Sequence, residues 1–136
     1  MPKRGFSLME LILVIAIMAI LTAAMVPMFK VNRLQAQTSK ANADLDAIKS
    51  AAMLYQSDTG AWPAARSDGI GLVTNDNVAN WNGPYLDAWR NDPWSHSYYL
   101  ANAASGGFTG LSAGSSGPDG RQGSADDITL LITPKI

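Results

Sequence analysis

Residues 6–29 read FSLMELILVIAIMAILTAAMVPMF, and between Leu11 and Phe29 there is no charged residue. A helix over the 21 residues from Phe6 to Val26 would be about 32 Å long, enough to cross a hydrocarbon core of roughly 30 Å. Apolar residues occupy every helical face rather than one stripe, which favours lipid over a buried core helix as the surroundings. A cleavable secretory signal would carry its small-residue cleavage site after the apolar run. Here the small residue, Gly5, comes before it, directly behind Lys3 and Arg4, so the run is expected to stay with the mature chain as a membrane-spanning helix. The basic pair orients it, keeping the short N-terminal tail cytoplasmic and leaving the C-terminal part outside.

Outward from this run the pattern changes. Pro27 removes one helical hydrogen bond and crowds the preceding turn, so a kink or local melting is expected there, with or without a role in assembly. Beyond it Leu34, Ala41, Leu45, Ile48, Ala52 and Tyr55 form an apolar stripe, while Arg33, Lys40, Asp44 and Lys49 fall largely off it. Thr59-Gly60 supplies a stop and Pro63 prevents resumption, giving one helix from Ser7 to about Asp58, roughly 75 to 80 Å if straight. The rest, Gly60 to Ile136, is rich in Gly, Asn, Asp, Ser and Pro with short apolar runs, which argues for loops and short strands. Ser97–Ala101, Phe108–Ala113 and Ile128–Thr133 are the strand candidates, with Gly106-Gly107 as a turn between the first two. Laid against the outer half of the helix they make a small α+β head.

The whole chain has 136 residues, enough for one modest domain plus one extended element. A net charge of −1 with scattered Lys and Arg excludes a nucleic-acid surface. Cysteine is absent, which excludes disulfides, thiolate metal sites and a thiol nucleophile. His96 is the single histidine, so a histidine metal site has no second ligand and a Ser-His-Asp arrangement would rest on chance. Trp62, Trp81, Tyr85, Trp89, Trp94, Tyr98 and Tyr99 are expected to build the head's core rather than a sugar- or partner-binding surface, because aliphatic residues are few in this half.

Lys3-Arg4-Gly5 followed by Phe6-Ser7-Leu8-Met9-Glu10-Leu11 resembles the cleavage and methylation motif of type IV pilins and type II secretion pseudopilins. The resemblance implies that a prepilin peptidase cuts between Gly5 and Phe6, that the new Phe6 amine is N-methylated, and that Glu10 pairs with that amine on an adjacent subunit to set register during assembly. A carboxylate at the membrane end of an apolar helix is costly without a partner, in line with that role; a carboxylate reaching the cytoplasmic interface alone is the other reading. The implied organisation is a leader at 1–5, a membrane and assembly half-helix at 6–29, and a periplasmic pilin-like head at 30–136.

Within the head, Thr59-Gly60-Ala61-Trp62-Pro63, Trp81-Asn82-Gly83-Pro84-Tyr85-Leu86, Asp92-Pro93-Trp94 and Ser116-Gly117-Pro118-Asp119-Gly120 follow in the order seen in the major pseudopilins of type II secretion. Type IVa pilins usually close this region with a disulfide, which this chain cannot form. Two departures stand out: Ser95-His96-Ser97 occupies the place where the family often has Gly soon after Asp-Pro-Trp, and Arg66–Val78 matches loosely.

Asp119 to Asp127 holds three carboxylates and two glycines in nine residues. Such a loop suits Ca²⁺, which takes six to eight oxygen ligands in flexible geometry, better than Mg²⁺. Asp and Gly also dominate ordinary turns, so the spacing alone leaves both readings open. The resemblance implies calcium, with Asp119, Asp126 and Asp127 as side-chain ligands and Ser116 and Ser124 as backbone carbonyl donors, in a structural role. It is not an EF-hand, whose acidic start and terminal Glu are missing.

Three functions follow from these expectations. The first is a non-enzymatic subunit that polymerises into the type II secretion pseudopilus, with minor pseudopilins, a prepilin peptidase and an inner-membrane assembly platform as partners, and drives export of folded proteins. The second is a subunit of a surface type IV pilus for adhesion, motility or DNA uptake. The third, a tethered calcium-dependent module or enzyme, needs neither Glu10 nor the Gly5-Phe6 junction.

Overall fold

A computed structural model describes residues 5–105 and 108–133, with the side chains of 24–30, 104–105 and 108–109 outside the described set. The expected leader pair Lys3-Arg4 and the expected turn at Gly106-Gly107 therefore lie outside the described residues. One helix, α1 (Leu8–Thr59), is followed by three strands, β1 (Tyr99–Ser105), β2 (Phe108–Ser115) and β3 (Ile128–Ile132). The chain forms two compact units, Met1–Ala36 and Gln37–Ile136.

In the first unit the helix begins where the Ser7 carbonyl accepts the N–H groups of Glu10 and Leu11, at 3.0 and 3.2 Å. The helix continues through Pro27, so the backbone is not melted there, although the bond that a Pro27 N–H would make is missing. The large apolar side chains from Phe6 to Leu21 are all between 46 and 81% exposed, as the absence of a stripe demands. Among the described residues no helix is long and apolar enough to cross a membrane. The apolar run of the sequence continues into 24–29, whose side chains are outside the described set.

In the second unit the helix turns one face inward. Ala41, Leu45, Ile48, Ala51, Ala52 and Tyr55 are buried, whereas Leu34, expected on the same stripe, is half exposed. The buried stripe begins at Ala41, a turn inside the compact unit that starts at Gln37. Gly60 takes a φ of 75° and gives its N–H to the Gln56 carbonyl at 2.9 Å, a left-handed stop that side chains resist. The sheet runs in the order β1-β2-β3, antiparallel throughout. Its register places Leu111 opposite Ile132 and Ala113 opposite Leu100, and all four face the helix in one core with Leu45, Ile48, Tyr55, Leu72 and Tyr98. Each fully buried Leu or Ile side chain there contributes about 1.5 to 3 kcal/mol.

β1 starts two residues later than expected and runs four further, to Ser105. Asn102 to Ser105 has no alternating apolar signature; its pairing comes from the backbone ladder with β2, from Asn102↔Leu111 to Ser105↔Phe108. Tyr98 and Tyr99 are buried, and Trp62, Trp81, Tyr85 and Trp89 pack half-buried against the core. Trp94 is half buried but outside that cluster. Tyr98 donates to Asp44 on the helix at 2.9 Å, and Lys40 pairs with the same carboxylate at 2.7 Å.

Candidate functional site

The connection from β2 to β3 spans residues 116–127 and lies at one end of the sheet. Gly117, Gly120 and Gly123 all have positive φ and bend it back on itself. The bend brings the Asp119, Asp126 and Asp127 carboxylates to 3.2, 2.6 and 3.1 Å from a single atom, Ser124 Oγ. A hydroxyl has one proton and satisfies one of the three, so the other two contacts set oxygen against oxygen. Backbone N–H groups offset part of that charge: Arg121 donates to Asp119 at 2.8 Å, Asp119 to Asp126 at 3.1 Å and Gly123 to Asp127 at 2.7 Å. The Ser124 hydroxyl holds the Asp126 carboxyl below its usual range.

Of the expected ligands, the three aspartates are thus brought together, and Ser116 is buried beside them in sequence. Ser124 meets the carboxylates through its side chain, while its carbonyl faces the Asp127 N–H at 3.5 Å. Among the described residues no group of three or more His, Cys, Asp or Glu is disposed to hold a metal ion as the side chains stand. The donors are oxygen throughout, as a hard cation prefers.

Beneath the loop lies an arrangement that sequence reasoning missed. Asp92, whose side chain has no solvent exposure, accepts the N–H of Trp94 at 3.0 Å and of His96 at 2.8 Å on one oxygen. Its other oxygen accepts the Ser115 hydroxyl at 2.5 Å. Ser115 Oγ in turn accepts the Gly117 N–H at 3.2 Å, and His96 Nδ1 lies 3.0 Å from the Gly117 carbonyl. A Ser, an Asp and a His are therefore adjacent, but the serine hydroxyl is committed to the carboxylate rather than the imidazole, which is not the order of a nucleophilic triad. Only the Asp-Pro-Trp motif pointed here; nothing in the sequence spacing links 92 to 115.

Ser95 takes a φ of 74° in the same turn. It lies in the Ser95-His96-Ser97 segment where the resembled family often has a glycine, a residue that suits the left-handed conformation.

At the other end of the chain Gly5, Phe6 and Glu10 are exposed, Gly5 and Phe6 precede the first helical turn, and Glu10 lies within it. An acidic residue there is favoured by the helix dipole. Among the described residues Glu10 has no cationic partner.

Comparison with known proteins places these features. Residues 1–26 match the family described as the prokaryotic N-terminal methylation motif, and residues 32–112 match the family described as PilW, C-terminal. The type II secretion system core protein G of Escherichia coli strain K12 is 34% identical over 132 residues, covering 93% of this chain and 90% of that protein. The core protein G of Pseudomonas aeruginosa is 35% identical over 131 residues, covering 92% and 90%. The crystal structure of the major pseudopilin from the type 2 secretion system of enterohaemorrhagic Escherichia coli is similar with a TM-score of 0.59 at 28% identity, over 72% of this chain and 89% of that one.

Proposed function

The chain belongs to the type II secretion system core protein G family, with a PilW C-terminal segment behind a prokaryotic N-terminal methylation motif, and from that membership we propose that it polymerises into a secretion pseudopilus that drives folded proteins across the outer membrane. The observation that carries this reading is similarity to core protein G along nearly the whole length of both chains. The surface-pilus reading shares only the N-terminal half of the argument. Deleting the gene is expected to block export of folded enzymes while leaving surface pili intact; lost pili with normal export would reverse the assignment.

The finer parts of the proposal rest on particular residues. Prepilin peptidase cuts between Gly5 and Phe6, and the freed Phe6 amine is methylated; both residues are exposed ahead of the helix. The apolar run spans the inner membrane, with the head in the periplasm, consistent with large apolar side chains exposed on every face. Glu10 pairs with the Phe6 amine of a neighbouring subunit, the cation it lacks among its own described residues. Minor pseudopilins and the assembly platform are the further partners.

Calcium is proposed for the β2–β3 loop, held by Asp119, Asp126 and Asp127 with carbonyls of Ser116 and Ser124. A divalent cation would neutralise the three carboxylates that now crowd one hydroxyl. Its contribution is structural: binding to the folded head alone adds to folding free energy.

A further inference from the structure

We propose that Ser115, held by the buried Asp92 through its hydroxyl, and His96, held by it through its backbone, are positioning residues that clamp Gly117 and so preset the calcium loop; the inference rests on the calcium reading of residues 116–127. Gly117 is gripped at both ends of its own residue. Ser115 Oγ accepts its N–H at 3.2 Å, and His96 Nδ1 meets its carbonyl at 3.0 Å. A carbonyl only accepts, so Nδ1 carries the proton. The two groups are anchored differently: the Ser115 hydroxyl is held directly, whereas His96 is held through its backbone and its ring is 37% exposed. Asp92 holds the Ser115 hydroxyl at 2.5 Å and the His96 backbone N–H at 2.8 Å, and its own N–H bonds the His96 carbonyl at 2.7 Å. The Asp92 side chain is wholly buried, so these bonds are shielded from competing water.

What the clamp transmits is set by Gly117 itself. Its φ is 61°, and a Cβ there would stand 2.4 Å from the Asp126 carbonyl oxygen and 2.9 Å from its Oδ2. The backbone of Gly117 is thus the surface on which Asp126 rests, while Ser116 precedes it directly and Asp119 follows two residues on. A built Cβ at Gly120 would lie 2.7 Å from His96 Nε2, so the imidazole also backs the next bend of the loop. Fixing these positions before an ion arrives lowers the ordering cost of binding, the effect that outer partners of metal ligands generally have.

The test uses the full chain in detergent micelles, titrated calorimetrically with calcium chloride, alongside thermal unfolding without calcium. His96→Ala is expected to weaken calcium binding at least about tenfold with little change in the calcium-free unfolding temperature. His96→Asn, whose amide nitrogen can stand near the place of Nδ1, is expected to restore affinity to within about threefold, less than one hydrogen bond's worth. Ser115→Ala is expected to weaken binding as well, and the histidine pair remains decisive if that variant does not fold. Unchanged affinity in His96→Ala, with binding lost in Asp119→Ala, would overturn the clamp and leave the calcium site standing. Failure of His96→Asn to restore affinity would also overturn it, assigning the effect to the ring's packing. An unsubstituted chain that takes up no calcium would remove the calcium reading and the clamp together.

Discussion

Ser95 and Asp92 share one turn and carry opposite lessons. Ser95 sits in the left-handed region at 74°, a conformation that costs a residue with a Cβ about 1 to 2 kcal/mol. Ser95→Gly is therefore expected to stabilise the protein by about 0.5 kcal/mol after the extra freedom of the unfolded chain is subtracted, read as a higher midpoint in denaturant unfolding. The need for this conformation was visible in the sequence only as a mismatch with the resemblance. Asp92 was visible only as part of a motif, because its partner Ser115 is 23 residues away and a hydrogen bond between distant residues leaves no periodic trace. The three loop aspartates were legible for the opposite reason: they lie within nine residues, and glycine turns bring such neighbours together whatever the rest of the fold does.

The helix is joined to the chain that follows it by polar contacts as well as by packing. Burial first, then the hydrogen bond to Asp44, pushes the Tyr98 phenol far above its ordinary value of 10.0, and burial followed by the bond to Asp76 does the same for Tyr55. A group whose folded value is raised contributes its stability below the unfolded value and loses it as pH climbs past that point. The unfolding temperature is accordingly expected to fall as pH rises above 10.0, the ordinary tyrosine value, and the slope to flatten in the Tyr55→Phe/Tyr98→Phe double variant. The helix was legible because its apolar stripe repeats at helical spacing. Leu34 misled because spacing says which face a residue occupies, not how far along the helix a cover extends. The far end of β1 was hidden because Asn102 to Ser105 is held by backbone pairing, which any sequence can make.

For the whole molecule, the N-terminal motif and the loop make separate predictions. Glu10→Leu is expected to leave the protein processed and membrane-embedded but poorly polymerised, scored by filament imaging and fractionation; normal filaments would remove the carboxylate from assembly. Adding a calcium chelator to the full chain is expected to lower its unfolding temperature, by the equivalent of about 2.7 kcal/mol if calcium was at a hundred times its dissociation constant, and Asp119→Ala should abolish the response. Both rest on motifs read through the resemblance to pseudopilins: hydropathy marks the helix but not the task of Glu10, and acidic spacing by itself suits an ordinary turn as well as a cation site. The core declares something about time. Leu45, Ile48 and Tyr55 meet Leu111, Ala113 and Ile132 in one cluster, so partners emerging early from the ribosome wait for partners emerging last. Until Ile132 is translated, the helix stripe has no complete cover, and a nascent chain clipped short of that residue presents uncovered apolar surface of the kind that quality-control proteases recognise.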